Sequence, residues 1–277
     1  MTEPAHRCRY GLPGPDAVDT MSSAELRARF LVSGRFEIGR LRLAFTDLDQ
    51  LAIGGAVPLD PLPLPACPEL GTRYFTERRE VGILNLGEPG AVSAGGRRYE
   101  LDRLDCLYIG CGEENVQFEA GPGRPVFYLA SSPAHRKCPT VRLPRAGARA
   151  IDLGDEAHAS RRRILQYICP GVVESCQLVM GITELAANSV WNTMPAHTHV
   201  RRSEIYLYFD FDGLVVHLMG APRRTRHLIV RPGEAVLSPS WSIHTGAGTA
   251  SYRFAWAMAG ENQDFADLDV VPADELS

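Results

Sequence analysis

Short apolar runs separated by glycine and proline constrain the fold of this chain more than any other feature. The 277 residues include 26 glycines and 20 prolines, which interrupt the apolar runs early. The runs are residues 51–57, 81–86, 106–109, 126–129, 176–185, 204–211, 214–219, 227–230, 235–237 and 252–257. Runs of this length between turn-forming residues are typical of β-strands in a barrel or sandwich. The chain is therefore predicted to be mainly β.

A few accessory helices are expected beside these strands. Residues 22–32 begin with Ser22, a favourable N-cap residue, carry Glu25 in the first turn and space their apolar residues as a helix does. Residues 160–168 are also helix-like. The proline-rich residues 59–68 are predicted to form an extended connection.

A weak internal repeat predicts two related β units. Residues 77–80 resemble residues 200–204 at an offset of 124, and residues 101–107 resemble residues 230–236 at an offset of 129. We therefore expect one unit within residues 1–150, preceded by the short helix, and a second within residues 151–277.

Net charge and the cysteine pattern limit the kinds of partner and the compartment that we expect for this chain. The net charge of -4 gives no general reason to bind nucleic acid or an anionic membrane. Residues 1–19 lack a long apolar core, and no later stretch has the apolar length of a membrane span. The seven cysteines form no C-x-x-C pair, and their odd number suits reduced thiols. We expect a cytoplasmic protein without a nucleic-acid or membrane partner.

The strongest chemical signal is a set of three histidines and one glutamate. His197, His199 and Glu204 follow the pattern H-x-H-x4-E, and His244 lies forty residues after Glu204. Residues two apart on a strand face the same side, so both early imidazoles can reach one ion. Three nitrogens and one carboxylate oxygen suit Zn, Fe, Mn, Co or Ni better than Ca or Mg. We expect one metal ion per subunit, with zinc as the first choice.

Other residues are candidates for contact with the substrate. Tyr206 and Tyr208 share a side with Glu204 on a regular strand, so either phenol could donate a proton or a hydrogen bond, or simply fill the core. Arg163 represents the cluster of residues 161–163, which could hold a carboxylate or mark a solvated face. The remaining histidines are interpreted as structural; they are His6, His135, His158, His217 and His227.

The metal pattern resembles the two cupin motifs. His197, His199 and Glu204 resemble the first motif, and residues 232–234 with His244 resemble the second. This resemblance implies two cupin-like (RmlC-type) jelly-roll units in tandem. At the offsets above, the first-half positions that match the three histidines are Arg73, Phe75 and Asn115, which cannot form a three-imidazole site.

Beyond the metal pattern, the chain resembles the 5-keto-4-deoxyuronate isomerase family nearly end to end. The similarity lies in residues 53–55, 74–82, 132–135, 176–178, 191–195, 238–244 and 260–263. It implies that His197, His199, Glu204 and His244 bind zinc. It also implies a homo-oligomer, possibly a hexamer. Members of the family often carry lysine where Gln166 stands here.

The implied reaction converts 4-deoxy-L-threo-5-hexosulose uronate into 3-deoxy-D-glycero-2,5-hexodiulosonate during pectin breakdown. A bound metal would polarise the carbonyl, while proton transfer and direct hydride shift both remain open. A Schiff-base route is disfavoured because Lys137 is the only lysine. Two alternatives also remain open: an iron-dependent cupin dioxygenase, and a cupin that binds a sugar without catalysis.

Overall fold

The computed structural model describes residues 6–261 and 263–277 of the chain. The helices are α1 (Pro15–Val18) and α2 (Ser23–Phe30), with 3-10 turns at Pro68–Leu70, Phe75–Glu77, Arg145–Gly147 and Ala273–Glu275. The first twelve strands are β1 (His6–Tyr10), β2 (Leu31–Val32), β3 (Leu41–Thr46), β4 (Ala52–Ala56), β5 (Leu62–Pro63), β6 (Arg79–Asn85), β7 (Gly90–Ala94), β8 (Arg97–Leu101), β9 (Cys106–Ile109), β10 (Gln117–Glu119), β11 (Phe127–Pro133) and β12 (Val141–Leu143).

The remaining strands repeat this arrangement in the second half. They are β13 (Arg149–Leu153), β14 (Arg162–Ile168), β15 (Val179–Leu185), β16 (Trp191–Asn192), β17 (His197–Thr198), β18 (Arg202–Phe209), β19 (Val215–Ala221), β20 (Arg224–Val230), β21 (Ala235–Ser238), β22 (Thr245–Gly248), β23 (Arg253–Gly260) and β24 (Asp269–Val270). The prediction of a mainly β chain is confirmed.

Each half stacks a seven-stranded sheet on a four-stranded sheet. The first half has the orders β1-β3-β4-β11-β6-β9-β12 and β5-β10-β7-β8. The second half has the orders β13-β14-β15-β23-β18-β21-β2 and β16-β22-β19-β20, with β17 and β24 as a separate pair. An apolar cluster fills each sandwich, and a third cluster joins the two large sheets face to face. The layers therefore run small sheet, large sheet, large sheet, small sheet.

The predicted early helix is present, but it packs on the second half. Ser22 caps α2 in a capping box with Glu25. Phe30 and Leu31 enter the apolar cluster of the second-half sandwich, and β2 pairs with β21. The short helix thus completes the second half rather than simply preceding the first.

The second predicted helix, residues 160–168, is wrong because this segment forms β14. Ile164 packs inside the second-half sandwich, whereas Leu165 packs between the two large sheets. A strand that is buried on both faces shows a continuous apolar run instead of alternation, and such a run resembles a buried helix. Residues 59–68 include the short strand β5, so the predicted extended connection also contributes to a sheet.

Strand pairing corrects the register of the internal repeat. Val81 lies opposite Ile109, and Glu204 lies opposite Ser238. The offset of 129 matches Ile109 with Ser238, so Val81 rather than Glu80 is the counterpart of Glu204. The predicted offset of 124 is wrong by one residue, and a shift of one residue exchanges the two faces of a strand.

The corrected register also moves two of the first-half counterparts of the histidines. At the new offset, Tyr74 and Thr76 replace Arg73 and Phe75, while Asn115 is unchanged. None of these side chains is an imidazole. Among the described residues, the grouped metal-ligand side chains lie in the second half.

Candidate metal centre

Short elements of the second-half sandwich bring His197, His199, Glu204 and His244 together. His197 begins β17, and His199 follows that two-residue strand directly. Glu204 is in β18, and His244 immediately precedes β22. Because β18 pairs with β21, the loop that follows β21 returns His244 to the side of Glu204.

The four side chains converge on one point. Each offers one ligand atom, and these atoms all lie within 4.8 Å of one another. Nε2 of His197 lies 3.2 Å from Nε2 of His199 and 3.0 Å from Nε2 of His244. Oε2 of Glu204 lies 3.1 Å from Nε2 of His199 and 2.9 Å from Nε2 of His244. Ligands about 3.3 Å apart surround a tetrahedral zinc ion with bonds of roughly 2.0–2.1 Å.

Hydrogen bonds behind two of the rings orient them toward this point. Nδ1 of His199 lies 2.9 Å from the carbonyl oxygen of Asp267, which can only accept, so Nδ1 carries the proton. Nδ1 of His244 lies 3.1 Å from the hydroxyl of Ser238. Metal-binding histidines are usually held in this way, because a partner on one nitrogen fixes the tautomer and leaves the other nitrogen for the ion.

Burial and mutual charge set the protonation state of the group. Burial, then the proximity of His244 and His199, lowers the pKa of His197 to about 2, so this ring is neutral near pH 7. Burial alone would raise the pKa of Glu204, but His244 and His199 outweigh it and hold that pKa below its usual range. A neutral imidazole and a carboxylate anion are the forms that bind metal ions. The donor set therefore fits a borderline divalent cation.

A cavity of about 210 Å³ opens beside these side chains. Much of its wall is apolar, with Phe254, Trp256 and Phe265 among the lining residues. Its other polar lining residues are Arg162, Thr183, Thr193 and Tyr206. A mainly apolar cavity with a few convergent polar groups is typical of a small-molecule site.

The two tyrosine candidates occupy different surroundings. Tyr206 lines the cavity, and its hydroxyl lies 3.2 Å from that of Thr193. Tyr208 lies deeper, with its hydroxyl 2.7 Å from Nδ1 of His217 and 3.3 Å from the amide of Asn192. Burial raises the pKa of both phenols well above the ordinary value, so both remain protonated. Tyr206 is thus the phenol that can donate a hydrogen bond into the cavity.

The structure places Arg163 outside the cavity and its neighbour Arg162 inside it. Arg163 is exposed and pairs with Asp152, with its Nε 2.7 Å from a carboxylate oxygen. Arg162 lines the cavity, and its Nη1 donates a 2.9 Å hydrogen bond to the carbonyl of Ser160. Burial lowers the pKa of Arg162, and among the described residues no carboxylate lies within ion-pair distance of it. Arg162 is therefore the cavity arginine that is available to an anionic ligand.

The other histidines and Gln166 lie away from the ligand set. His217 bonds Tyr208, His135 lies 3.1 Å from the sulfur of Cys176, and His158 pairs with Asp155 at the surface. His227 is exposed on β20, and the side chain of His6 lies outside the described part of the chain. Gln166 is buried and accepts a 2.6 Å hydrogen bond from Arg149, and it does not line the cavity. Asn262, within the family-like residues 260–263, also lies outside the described residues.

Comparison with known proteins places the chain in a family. The model of the KduI/IolB family matches residues 47–271. The chain belongs to the KduI/IolB family. It is 53% identical over 269 residues to the 4-deoxy-L-threo-5-hexosulose-uronate ketol-isomerase of Opitutus terrae, with 95% of this chain and 97% of that protein covered. It is 49% identical over 272 residues to the protein of the same name from Kineococcus radiotolerans, with the same coverage.

Solved structures of an IolB-like protein and of an oxalate decarboxylase support the fold. An IolB-like protein from Salmonella typhimurium matches with a TM-score of 0.67 at 13% identity, covering 80% of this chain and 87% of that chain. The oxalate decarboxylase of Lactobacillus farciminis matches with a TM-score of 0.62 at 10% identity, covering 91% and 89%. At these identities the likeness concerns the fold alone, and it agrees with a cupin-like architecture. No described helix has the length and apolarity to cross a membrane.

Sequence reasoning missed three contributors to the site. The sequence marks Arg162 only as a member of the charged cluster of residues 161–163, and the helix predicted for residues 160–168 gives no reason to separate it from Arg163. Thr193 precedes the cis peptide bond between Met194 and Pro195, in a loop whose shape no pattern predicted. Asp267 acts through its backbone carbonyl, which carries no side-chain signal.

Proposed function

We propose that this chain is a metal-dependent ketol-isomerase that converts 4-deoxy-L-threo-5-hexosulose uronate into 3-deoxy-D-glycero-2,5-hexodiulosonate. The observation that carries the proposal is that His197, His199 and Glu204 line one cavity together with Arg162. The substrate has a reacting aldehyde end and a carboxylate, and the cavity offers a cation site together with an arginine. Two relatives that are 53% and 49% identical to this chain are named for this activity.

The proposed metal ligands are His197, His199, Glu204 and His244. Zinc is our choice of ion because three imidazole nitrogens and one carboxylate oxygen, closely spaced, suit its bond lengths. When bound, a divalent cation supplies Lewis-acid polarisation of a carbonyl oxygen. Fe, Mn, Co and Ni suit the same donors, so metal analysis of the purified protein is the test.

The isomerisation redistributes two hydrogens between neighbouring atoms. One hydrogen moves from the carbon that bears the hydroxyl to the aldehyde carbon, and one moves from the hydroxyl oxygen to the former aldehyde oxygen. Our candidate for a hydrogen-bond donor to an oxygen of the reacting end is Tyr206, whose hydroxyl contacts that of Thr193. Phe254, Trp256 and Phe265 give the cavity an apolar wall, and displacement of water from such a wall by a bound substrate would strengthen each polar contact inside it.

Arg162 is our candidate for the group that binds the substrate carboxylate. Its Nη1 is tied to the carbonyl of Ser160, which orients the guanidinium. The rest of the planar guanidinium can then bind a carboxylate through two hydrogen bonds. Arg163, its outward neighbour, provides a matched comparison because it shares the strand but pairs with Asp152.

The proposal extends to the organisation of the protein. We propose two tandem cupin-like units, residues 1–150 and 151–277, with α2 and β2 crossing to the second unit. A homo-oligomer, possibly a hexamer, is also proposed, and exposed Leu153, Val200 and Val270 could supply apolar contact area for it. Light scattering coupled to size-exclusion chromatography tests the oligomer. A cytoplasmic location, consistent with seven free cysteines, remains a prediction.

An anaerobic NMR time course with the deoxy-keto uronate tests the reaction and the metal together. We expect the diulosonate to form, to cease forming after chelation, and to form again when zinc is added. Binding of the uronate without any product would favour a non-catalytic sugar-binding cupin. A requirement for iron together with oxygen consumption on another substrate would favour a cupin dioxygenase.

A further inference from the structure

The C-terminal strap, residues 264–271, forms part of the wall beside the ligand set. Its strand β24 pairs with β17, so that His197 lies opposite Val270. The amide of Val271 donates a 2.8 Å hydrogen bond to the carbonyl of Ala196. Phe265, at the other end of the strap, packs 5.2 Å from Trp256, measured between ring centroids, and both rings line the cavity.

The buried side chain of Arg202 donates hydrogen bonds to the backbone of this strap. Its side chain begins two residues before Glu204 on β18 and is 1% exposed. Nη1 donates a 2.6 Å hydrogen bond to the carbonyl of Asp264. Nη2 donates hydrogen bonds of 3.2 Å to the carbonyl of Phe265 and 3.0 Å to that of Asp267. One buried guanidinium therefore holds three backbone carbonyls of the strap in place.

The carbonyl of Asp267 is shared between Arg202 and His199. It accepts from Nη2 of Arg202 and, at 2.9 Å, from Nδ1 of His199. The position of this oxygen fixes the ring plane of His199 and keeps the proton on Nδ1. The orientation of His199 thus depends on a strap segment more than sixty residues away in sequence. His244 differs, because its Nδ1 partner Ser238 belongs to the same sheet as Glu204.

We propose that Arg202 is a positioning residue for the metal centre, acting through the carbonyl of Asp267 to orient His199. The inference rests on the proposed metal site and adds a residue that contacts neither the metal nor the substrate. A carbonyl held by a buried, rigid guanidinium is a better fixed acceptor than one in a loose terminal segment. Loss of such a partner of a ligating histidine typically costs about 10- to 100-fold in metal affinity.

The test compares Arg202→Met with Arg201→Met, which changes the exposed neighbour in sequence. Binding of Co²⁺ is measured by competition with a chromogenic chelator, and the visible absorption of the bound Co²⁺ reports the ligand geometry. The Nδ1 proton of His199 is followed by NMR in the metal-free protein. For Arg202→Met we expect affinity to fall about 10- to 100-fold, the cobalt spectrum to change and the Nδ1 proton to exchange faster. Arg201→Met should match the wild type.

Unchanged cobalt affinity in Arg202→Met would overturn the proposal, as would a slow Nδ1 proton that persists while affinity falls. If Arg202→Met does not fold, Arg202→Lys retains the charge and the stem but loses the planar fork, and it should show a smaller affinity loss with the same NMR change. A wild-type affinity in Arg202→Lys, with an unchanged Nδ1 signal, would then overturn it. Failure of the wild type to bind Co²⁺ would instead reject the proposed metal site.

Discussion

The carboxylate of Glu80 accepts a 2.6 Å hydrogen bond from the backbone amide of Cys176, which lies 96 residues further along the chain. Glu80 is fully buried between the two large sheets, and five groups donate to it. The donors are the hydroxyls of Tyr108 and Ser132 and the amides of Cys176, Gln177 and Leu178. A single carboxylate in the first half therefore holds three consecutive amides of the second half.

Replacing Glu80 with glutamine should destabilise the whole protein. The glutamine side chain keeps one acceptor oxygen, but its NH₂ group replaces the second oxygen and cannot accept a hydrogen bond. Some of the buried backbone amides that donate to Glu80 would therefore lose their acceptor. We expect the free energy of unfolding to fall by about 2–3 kcal/mol, measured by urea denaturation. Glu100→Gln, at an exposed ion pair, is the control and should change stability by less than about 1 kcal/mol. Equal stabilities of the two variants would contradict the role of Glu80.

Removing His244 should remove the metal. Its Nε2 lies 2.9 Å from Glu204, so an alanine opens the ligand set and leaves two imidazoles and a carboxylate. We expect His244→Ala to lose most of its bound zinc and to lose activity by more than about 100-fold. His158→Ala removes an exposed histidine that pairs with Asp155, away from the ligand set, and should retain metal and activity. Equal losses at both positions, by metal analysis and rate, would reject the assignment.

Changing Arg162 should affect recognition of the substrate carboxylate. Arg162→Met should reduce kcat/KM by about 10- to 100-fold, mainly through KM, because hydrogen bonds to a charged group are each worth roughly 1.5–3 kcal/mol. Zinc content should stay at the wild-type level. Arg163→Met breaks only the exposed pair with Asp152 and should leave both constants unchanged. A larger KM effect in Arg163→Met would place the carboxylate elsewhere.

Removing the hydroxyl of Tyr206 should slow the chemical step. The phenol lines the cavity and stays protonated, so Tyr206→Phe deletes one donor without changing charge. We expect kcat to fall by about 100-fold with bound zinc unchanged. Tyr208→Phe breaks the contact with buried His217. This variant should have a lower melting temperature, while its kcat should fall less than that of Tyr206→Phe. The idea fails if the rate of Tyr206→Phe equals that of the wild type.

Three of the four ligands were accessible from the sequence because their spacing is local, while His244 was found through its position after the second motif. His197 and His199 are two residues apart, and Glu204 follows on the next strand, so side-chain alternation alone brings them together. The strands were predicted from another local signal, namely short apolar runs bounded by glycine and proline. Which residues of β14 face the cavity could not be predicted, because this strand is buried on both sides and its sequence does not alternate. For the same reason the sequence could not show that Arg162 faces the cavity and Arg163 faces the solvent.

Backbone partners were beyond sequence reasoning for a different reason. The carbonyl of Asp267 would serve His199 with almost any side chain at that position, so no residue type marks it. The repeat was found with an error of one residue because Glu80 and Glu204 share a residue type but face opposite sides of their sheets. The sequence alignment matched the two glutamates because they are the same residue type. The correct match depends on which residues pair across the strands, and only the assembled sheets reveal that.

The pairing of β2 with β21 has a consequence for synthesis of the chain. Residues 31–32 leave the ribosome before either sandwich exists, yet their partner strand is made some two hundred residues later. The aromatic ring of Phe30 must remain uncovered during that interval, since its cluster belongs to the second half. A gene fragment that encodes residues 151–277 alone would leave the outer edge of β21 bare. The half that carries the metal ligands is therefore not expected to fold by itself. Recombination that separates it from the first forty codons should yield an insoluble product.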